Sequence, residues 1–252
     1  MIPKKIHYCW FGGAPLPELA QKCIASWRKF LPDYEIIRWD ETNFRIDEIP
    51  YTRDAYHEKK YAFVSDYARF VILHTHGGLY FDTDVEIINP LDDIIAAGPF
   101  MGAEQPSRPG LPPESLDLNP GLGLASTPGH PILATLISTY RQLSFYNPDG
   151  SLNQQTIVRY TTDLLIRHGL RNTPDIQQID GITIYPVDYF CPLSVTTGRL
   201  TITPNTRSIH HFAKTWLSRK DRLYMWLTSH IGPTATTRLY TLLRPLTRLL
   251  PK

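Results

Sequence analysis

The sequence predicts an α/β fold in which a mostly parallel central sheet is flanked by helices. The first forty residues alternate strand, helix and strand, an order that favours parallel strands joined by crossover helices. A second long helix then leads directly into another apolar strand. The 252 residues include 42% apolar and 20% charged residues, which is enough hydrophobic surface for one large domain with a buried core.

The first strand is predicted over residues 6–11, an apolar run that ends at Gly12 and Gly13. Such a run is typical of a strand that is buried on both faces. A helix is expected up to Phe30, because apolar residues recur there at intervals of three and four. Residues 34–39 are predicted to form the second strand. Ligands of such sheets bind beyond the carboxyl ends of the strands.

Residues 56–76 are predicted to form one long helix, because Gly77 and Gly78 follow and glycine is common just beyond a helix C-terminus. Residues 79–88 are then expected to form one continuous strand. The Pro- and Gly-rich segment 104–131 is expected to be a long loop, which in a compact domain is often functional. Further helices are predicted around residues 132–143 and 155–168, and further strands over residues 182–187 and 208–212.

The formal charge of +2 is divided unequally along the chain. Residues 217–252 carry seven Lys and Arg residues against one acidic residue, and residues 1–216 carry 19 basic and 23 acidic residues. The near-neutral total gives no support to a nucleic-acid partner, which would require a strong basic excess. Residues 219–252 read as a basic amphipathic tail, which either lies on an anionic membrane or packs as a final helix.

Cysteine usage and hydropathy indicate the compartment. The three cysteines form no Cys-x-x-Cys pair, so neither a disulfide framework nor a thiolate zinc site is indicated. No signal peptide is recognisable, and no apolar run reaches the ~18 residues of a membrane-spanning helix. A cytoplasmic protein is expected, with peripheral contact to the inner membrane through the tail as an option.

The sharpest chemical motif is Asp82-Thr83-Asp84. On a continuous strand, side chains alternate between faces, so Asp82, Asp84 and Glu86 would share one face. Carboxylates about 7 Å apart along a strand suit a hard divalent cation, Mn²⁺ or Mg²⁺, which could bridge them to phosphates. A bare Asp-x-Asp motif is common, so it needs support from elsewhere in the chain.

Two other segments supply that support. Asp66 and Arg69 are three residues apart on the predicted helix, so they share a face and can pair. This helix runs directly into the acidic strand, which would bring the pair to the same ligand. Segment 208–218 adds two imidazoles, a lysine and an indole, side chains that suit a metal, a phosphate and a ring, respectively.

Four separated motifs together resemble the DXD glycosyltransferases. More narrowly, they are similar to glycosyltransferase family 32, which includes bacterial capsular and other surface-polysaccharide glycosyltransferases and fungal initiation-type mannosyltransferases. The motifs are segment 2–13, segment 60–69, the run from Gly77-Gly78 through Asp82 and Asp84, and Ser208-Ile209-His210-His211. The resemblance covers most of residues 1–218.

The resemblance implies a GT-A type nucleotide-sugar-binding domain over residues 1–218, followed by the tail 219–252. It also implies a metal-dependent, retaining glycosyltransferase that uses Mn²⁺ or Mg²⁺. The donor would be a nucleotide sugar, with UDP-sugars as the first candidates. The acceptor would be a saccharide or lipid-linked saccharide in the synthesis of a bacterial surface polysaccharide such as a capsule.

Roles at the donor site also follow from the resemblance. Trp10 would stack on the nucleotide base. Asp66 and Arg69 would hold the donor sugar and orient the diphosphate. Asp82 and Asp84 would form the DXD motif, with Asp84 as the stronger metal ligand and Asp82 shared between metal and ribose. Asp66, Arg69 and Asp84 are thus the expected catalytic residues.

Segment 208–218 would complete the donor site. His211 would be a later metal ligand, with His210 as the alternative. Lys214, Trp216 and Ser218 would close over the diphosphate, although the Gly-Ser found before the Trp in other members is absent here.

A further motif lies in the Pro- and Gly-rich segment. Asn119, Gly121 and Gly123 resemble the family's Asn-x-Gly-x-Gly motif, and Asn119 would lie near the donor sugar and the acceptor.

Three alternatives remain open at the level of the sequence. A phosphohydrolase of the haloacid-dehalogenase type would use Asp82 as its nucleophile, but Glu86 replaces the Thr or Val of that motif. A non-catalytic protein on the same scaffold would bind nucleotide sugars or glycans without turnover. An effector that glycosylates host proteins would need an export signal, and none is recognisable.

Overall fold

The central sheet combines parallel and antiparallel strands. The computed structural model describes residues 1–105, 116–195 and 197–213. The strands in these ranges are β1 (Lys5–Cys9), β2 (Glu35–Trp39), β3 (Gly78–Tyr80), β4 (Val85–Ile87), β5 (Phe100–Glu104), β6 (Asp117–Leu118), β7 (Leu124–Ser126), β8 (Gln177–Ile179), β9 (Ile182–Tyr185) and β10 (Ser208–His210). The helices are α1 (Glu18–Phe30), α2 (Pro50–His57), α3 (Tyr61–His76), α4 (Asp92–Ala96), α5 (Pro131–Arg141), α6 (Ile157–Arg167) and α7 (Val187–Phe190), with a 3₁₀ turn at Ile46–Glu48.

The main sheet has the strand order β2-β1-β3-β7-β5-β9-β8, and β6 also pairs with β5. Strands β1, β2, β3, β5 and β9 point in one direction, and β6, β7 and β8 point in the other. A second, two-stranded sheet pairs β4 antiparallel with β10. The predicted α/β fold with a mostly parallel sheet is therefore confirmed.

Each face of the main sheet carries its own hydrophobic cluster, because side chains alternate along a strand. Tyr80 and Met101 join the cluster beneath α2, α3, α5 and α6. Leu79, Phe81 and Phe100 join the opposite cluster, with α1 and α4. Helices thus cover both faces of the sheet. Among the described residues, no helix combines the length and the apolar character needed to cross a membrane.

The prediction of one helix over residues 56–76 is wrong, because α2 and α3 are separate helices. The N–H of Lys60 donates to the carbonyl of Ala55 (2.8 Å), and the N–H of Lys59 donates to that of Tyr56 (2.9 Å). These two bonds form a Schellman-type helix end. Lys59 adopts a left-handed conformation (φ 57°) in which glycine is the usual residue, so the sequence carries no stop signal here.

The predicted end of the second helix is confirmed. Helix α3 ends at His76, and both following glycines have positive φ values, 63° for Gly77 and 101° for Gly78. A Cβ on Gly78 would lie 2.7 Å from the carbonyl oxygen of Lys5. The glycine pair therefore allows the sharp turn that brings β3 alongside β1.

The prediction of one strand over residues 79–88 is also wrong. Strands β3 and β4 are separated by a turn in which the N–H of Val85 donates to the carbonyl of Asp82 (3.0 Å). Asp82 and Asp84 lie in this turn rather than on a strand. The expected strand face shared by Asp82, Asp84 and Glu86 therefore does not form.

The segment 104–131 is not a loop throughout. Residues 106–115 lie outside the described residues, but residues 117–126 are buried and contain β6 and β7. Strand β7 lies between β3 and β5 and is antiparallel to both. A piece of the segment predicted as a loop is thus a central strand of the main sheet.

Candidate functional site

The candidate site lies at one edge of the main sheet. Trp10 follows β1, Asp82 follows β3 after one residue, and Glu104 is the last residue of β5. Strand β7 runs in the opposite direction, so Gly121 and Gly123, which precede it, reach the same edge. Carboxyl ends of strands in open α/β sheets are the usual place for ligands.

Arg69 joins helix α3 to the acidic turn. Its Nη2 atom lies 2.9 Å from Oδ1 of Asp66 and 3.3 Å from Oδ1 of Asp82. Its guanidinium stacks over the ring of Tyr80, with Cζ 4.7 Å from the ring centroid. The Tyr80 hydroxyl donates to Asp82 Oδ1 (3.2 Å). The helix pair and the DXD motif are thus parts of one charge network.

The Asp66–Arg69 pair is buried, with side-chain exposures of 10% and 4%. Burial raises the pKa of Asp66 to about 7, against the opposing effect of Arg69. Burial acts to lower the pKa of Arg69, but the Asp82 and Asp66 carboxylates outweigh it and hold the pKa above its ordinary value. Removal of Arg69 would leave the buried Asp66 carboxylate without its partner, which typically costs about 3–5 kcal/mol, whereas Arg69 would keep Asp82 if Asp66 were removed.

Gly121 lies in close contact with the side chains of Asp82 and Arg69. A Cβ on Gly121 would lie 1.9 Å from Oδ2 of Asp82 and 3.0 Å from Nη1 of Arg69. The Gly121 carbonyl accepts a hydrogen bond from the Asp82 N–H (2.9 Å). Nη1 of Arg69 is buried and has no hydrogen-bond partner among the described residues. Arg69 therefore has an N–H donor beside the acidic turn that no described residue uses.

Asp82, Asp84 and His210 form a cluster with the composition of a metal site. One ligand atom from each residue lies within 4.8 Å of the other two. Nε2 of His210 is 3.1 Å from Oδ1 of Asp84. Nδ1 of His210 is buried without a partner among the described residues. Two carboxylates and an imidazole at this separation fit a divalent cation.

The two adjacent histidines face different partners. Nε2 of His211 lies 2.8 Å from Oε2 of Glu86, which also accepts a hydrogen bond from Lys22 (2.9 Å). His210 instead contacts the carboxylate of Asp84. His210, the alternative at the level of the sequence, therefore lies in the carboxylate cluster, and the side chain of His211, the first choice as metal ligand, lies against Glu86.

The surroundings of His210 fix its ring. Burial acts to lower the pKa of His210, but the Asp84 carboxylate raises it above the ordinary value overall. The ring packs against Phe212 with centroids 4.1 Å apart. Phe212 has a φ of 49°, an uncommon conformation for a bulky residue and one that concentrates at functional sites.

Trp10 is held at the end of β1, where its indole Nε1 donates to the carbonyl of Ala14 (2.6 Å). Nearby, Glu41 accepts hydrogen bonds from the N–H of Gly12 and from the hydroxyl of Tyr56, the latter at 3.0 Å. Glu41 thus ties the end of β1 to α2, a role that the sequence analysis did not assign.

Asn119 is linked to the acidic turn through Gly121. Its Nδ2 donates to Oε2 of Glu104 (2.8 Å), and its Oδ1 accepts from the N–H of Gly121 (2.8 Å). Burial raises the pKa of Glu104 to about 6, with Asn119 opposing the shift. Sequence reasoning missed Glu104, although its place at the end of a buried, largely apolar strand is a usable signal. Lys214, Trp216, Ser218 and the tail lie outside the described residues.

Comparisons with known proteins agree with the motifs. A family model described as the glycosyltransferase sugar-binding region containing the DXD motif matches residues 17–101. An uncharacterized glycosyltransferase of Acanthamoeba polyphaga mimivirus is 27% identical over 208 residues, which are 78% of this chain and 79% of that protein. Inositol phosphoceramide mannosyltransferase 3 of Schizosaccharomyces pombe is 26% identical over 57% of this chain, but the match spans only 38% of the fungal protein.

Similar solved structures are distant. The PaToxG glycosyltransferase has a TM-score of 0.46 and 18% identity, and the match covers 66% of this chain and 69% of that one. A glycosyltransferase involved in glycosylation of the major capsid of PBCV-1 has a TM-score of 0.42 and 12% identity, over 86% of this chain and 96% of that one. The family model and the named relatives confirm the resemblance to DXD glycosyltransferases and, with it, the expected class of enzyme.

Proposed function

We propose that this chain, a glycosyltransferase of the DXD type, is a metal-dependent and retaining enzyme. It transfers a sugar from a nucleotide-sugar donor, with UDP-sugars as the first candidates, to a saccharide or lipid-linked saccharide. The observation that carries the proposal is the meeting of two features at one sheet edge: the Asp82–Asp84–His210 cluster and the buried Asp66–Arg69 pair.

Asp82, Asp84 and His210 would hold the cation. Because one of the three ligands is an imidazole, the set favours Mn²⁺ over Mg²⁺, which prefers oxygen ligands. A bound divalent cation would supply positive charge that offsets the charge of the donor diphosphate.

Arg69 and Asp66 would bind the donor beside this cluster. The unpartnered Nη1 of Arg69 can donate to a phosphate or hydroxyl oxygen, and the Asp66 carboxylate can accept from a sugar hydroxyl. Asn119 would lie near the sugar, and Trp10 would stack on the base.

In the transfer, the bond between the anomeric carbon and the diphosphate oxygen breaks, and its electron pair leaves with the nucleoside diphosphate. A bond forms between the anomeric carbon and the acceptor hydroxyl oxygen, and the hydroxyl proton passes to the departing diphosphate. Burial of the site would exclude water and so favour transfer over hydrolysis.

The acceptor and the place of action are proposed on two grounds. The names of the fungal relatives refer to mannosyl transfer onto an inositol phosphoceramide, which favours a lipid-linked acceptor. The net charge of +6 over residues 217–252 favours weak attachment to an anionic membrane surface. Co-flotation with anionic vesicles should fall when Arg238, Arg244 and Arg248 are all changed to Gln; unchanged co-flotation would remove the membrane proposal.

A donor screen tests the function. The purified full chain is incubated with Mn²⁺ and a panel of nucleotide sugars, and the released nucleotide is quantified for the wild type and for Asp84→Ala. Release from one donor by the wild type alone is the expected result. Tight donor binding without any release, with and without candidate acceptors, would instead favour the non-catalytic alternative. The anomeric configuration of the product, measured by NMR, tests retention separately.

A further inference from the structure

A continuous chain of hydrogen bonds runs from Glu104 to the DXD motif. Glu104 accepts from the side chain of Asn119, Asn119 accepts from the N–H of Gly121, and Gly121 accepts from the N–H of Asp82. We infer that Glu104 is a positioning residue, which fixes the place of Asp82 through Asn119 and Gly121. This inference rests on the proposed function, since it assigns Asp82 to the metal and donor site.

The direction of each hydrogen bond follows from the chemistry of Glu104. An ionised carboxylate only accepts hydrogen bonds, so Asn119 must turn its amide nitrogen toward Glu104. That orientation points the amide oxygen at the N–H of Gly121, which needs an acceptor. The reversed amide would set a carbonyl against a carboxylate and two N–H donors against each other. Glu104 therefore selects one of two amide orientations that have nearly the same shape.

Burial makes this selection strong. Glu104 and Asn119 are each only 8% exposed, so water cannot readily replace a lost partner. A buried donor or acceptor left without its partner typically costs about 1–3 kcal/mol. The segment is also held by other bonds, from the Asn119 N–H to the carbonyl of Gly102 (3.1 Å) and from the Leu118 N–H to Oγ1 of Thr162 (2.8 Å).

The last members of this series of hydrogen bonds, Gly121 and Asp82, are in close contact, so the position of one determines the position of the other. No side chain separates the backbone of Gly121 from Oδ2 of Asp82, and even a Cβ atom would overlap it. A shift of the 119–122 turn would therefore move the Asp82 carboxylate relative to Arg69 and Asp84. Misplacement of a metal-binding or catalytic group by about 1 Å can cost two orders of magnitude in rate.

Variants of the full chain separate positioning from charge and from general stability. Glu104→Gln removes the charge but keeps an oxygen that can accept from Asn119. Glu104→Ala removes both, and Asn119→Ala removes the next member of the chain. Thr162→Val is the matched control, because it breaks a different buried hydrogen bond to the same segment. Mn²⁺ binding, measured by electron paramagnetic resonance of the free ion, gives a readout that needs no turnover.

We expect Glu104→Ala and Asn119→Ala each to weaken Mn²⁺ binding about tenfold or more. The double variant should bind Mn²⁺ no more weakly than either single variant, because the same series of hydrogen bonds is broken in all three. Glu104→Gln and Thr162→Val should stay within about threefold of the wild type. Additive effects in the double variant, equal losses in Glu104→Gln and Glu104→Ala, or an equal loss in Thr162→Val would each overturn the inference.

A rescue experiment covers the case in which Glu104→Ala does not fold. Asn119→Asp places a second acceptor against Glu104 and should weaken Mn²⁺ binding. Adding Glu104→Gln to Asn119→Asp supplies a donor again and should restore at least half of the lost binding free energy; no restoration would contradict the inference. Normal Mn²⁺ binding without sugar release by the wild type would contradict only the proposed function, and absence of Mn²⁺ binding by the wild type would contradict both.

Discussion

Nε2 of His210 lies 3.1 Å from Oδ1 of Asp84, across the antiparallel pair β4 and β10. This contact brings a residue from the end of the described chain to the acidic turn 126 positions earlier in the sequence. The adjacent His211 meets Glu86 instead. The two-stranded sheet therefore decides which of two neighbouring histidines reaches the candidate metal site.

The first prediction compares these histidines. His210→Ala should lower Mn²⁺-dependent nucleotide release by about 100-fold or more, since loss of one ligand removes several kcal/mol of stabilisation. His211→Ala should lower it by less than about fivefold, because its partner Glu86 also retains Lys22. Steady-state rates at saturating donor measure both. Equal losses, or a larger loss in His211→Ala, would return the ligand role to His211.

The second prediction concerns protons. In the metal-free chain, the Asp84 carboxylate holds the pKa of His210 above its ordinary value despite burial. A histidine must be neutral to bind a metal, so Mn²⁺ binding should release a proton when the pH lies below this raised pKa. The apparent affinity should accordingly rise with pH and level off once His210 is neutral.

Calorimetric titrations with Mn²⁺ in two buffers of different ionisation enthalpy measure the protons released. The number should fall in His210→Gln relative to the wild type. A release that is identical in both would show that another group titrates.

The third prediction uses the two glycines that precede β7. Gly121→Ala should abolish most of the activity, because the added Cβ would overlap Oδ2 of Asp82. Gly123→Ala is the matched control, since its Cβ would meet Phe81 at 3.2 Å and Phe190 at 3.4 Å, distances that small shifts of these side chains can relieve. Circular dichroism and Mn²⁺ binding, measured beside activity, should show a folded Gly121→Ala chain with a damaged metal site. Equal activity of the two variants would contradict the close contact.

The fourth prediction concerns stability and pH. Burial raises the pKa of Asp66 from 3.8 to about 7, so between these values the folded state binds more protons than the unfolded state. The free energy of unfolding contributed by Asp66 should therefore be fully present below about pH 4 and should be lost as the pH rises toward 7.

Urea unfolding of the metal-free chain from about pH 4.5 to pH 7.5 measures this contribution, with Asp66→Asn as the reference. The variant should gain stability relative to the wild type as the pH rises, while contributions from other groups such as His7 cancel in the difference. A difference that does not change with pH would mean that Arg69 keeps Asp66 ionised throughout.

Much of the fold could be predicted because local patterns and packing agree. The first strand, helix and strand, the glycines that end α3 and the helix face shared by Asp66 and Arg69 all follow from short-range periodicity. These elements also place Asp66, Arg69 and Asp82 together, because the chain turns back at Gly77 and Gly78 and β3 then runs back along α3.

The remaining features depend on contacts between distant segments. Strand β7 forms by pairing with both β3 and β5. No local pattern in the Pro- and Gly-rich segment predicts this pairing. Lys59 is exposed and adopts a left-handed conformation without being a glycine, so the helix end that it forms has no signal in the sequence. The choice between His210 and His211 depends on the register of β10 against β4, whose paired residues lie 121 to 125 positions apart in the chain. The role of Glu104 depends on the amide of Asn119.

The central claim is that a divalent cation held by the DXD turn and His210 supports sugar transfer. The most direct measurement titrates Mn²⁺ into chelator-treated full chain with the best donor from the screen and follows nucleotide release. The account predicts saturable activation from a near-zero baseline in the wild type, and none in Asp84→Ala or His210→Ala. Full activity without added metal, or the same activation curve in all three chains, would contradict it.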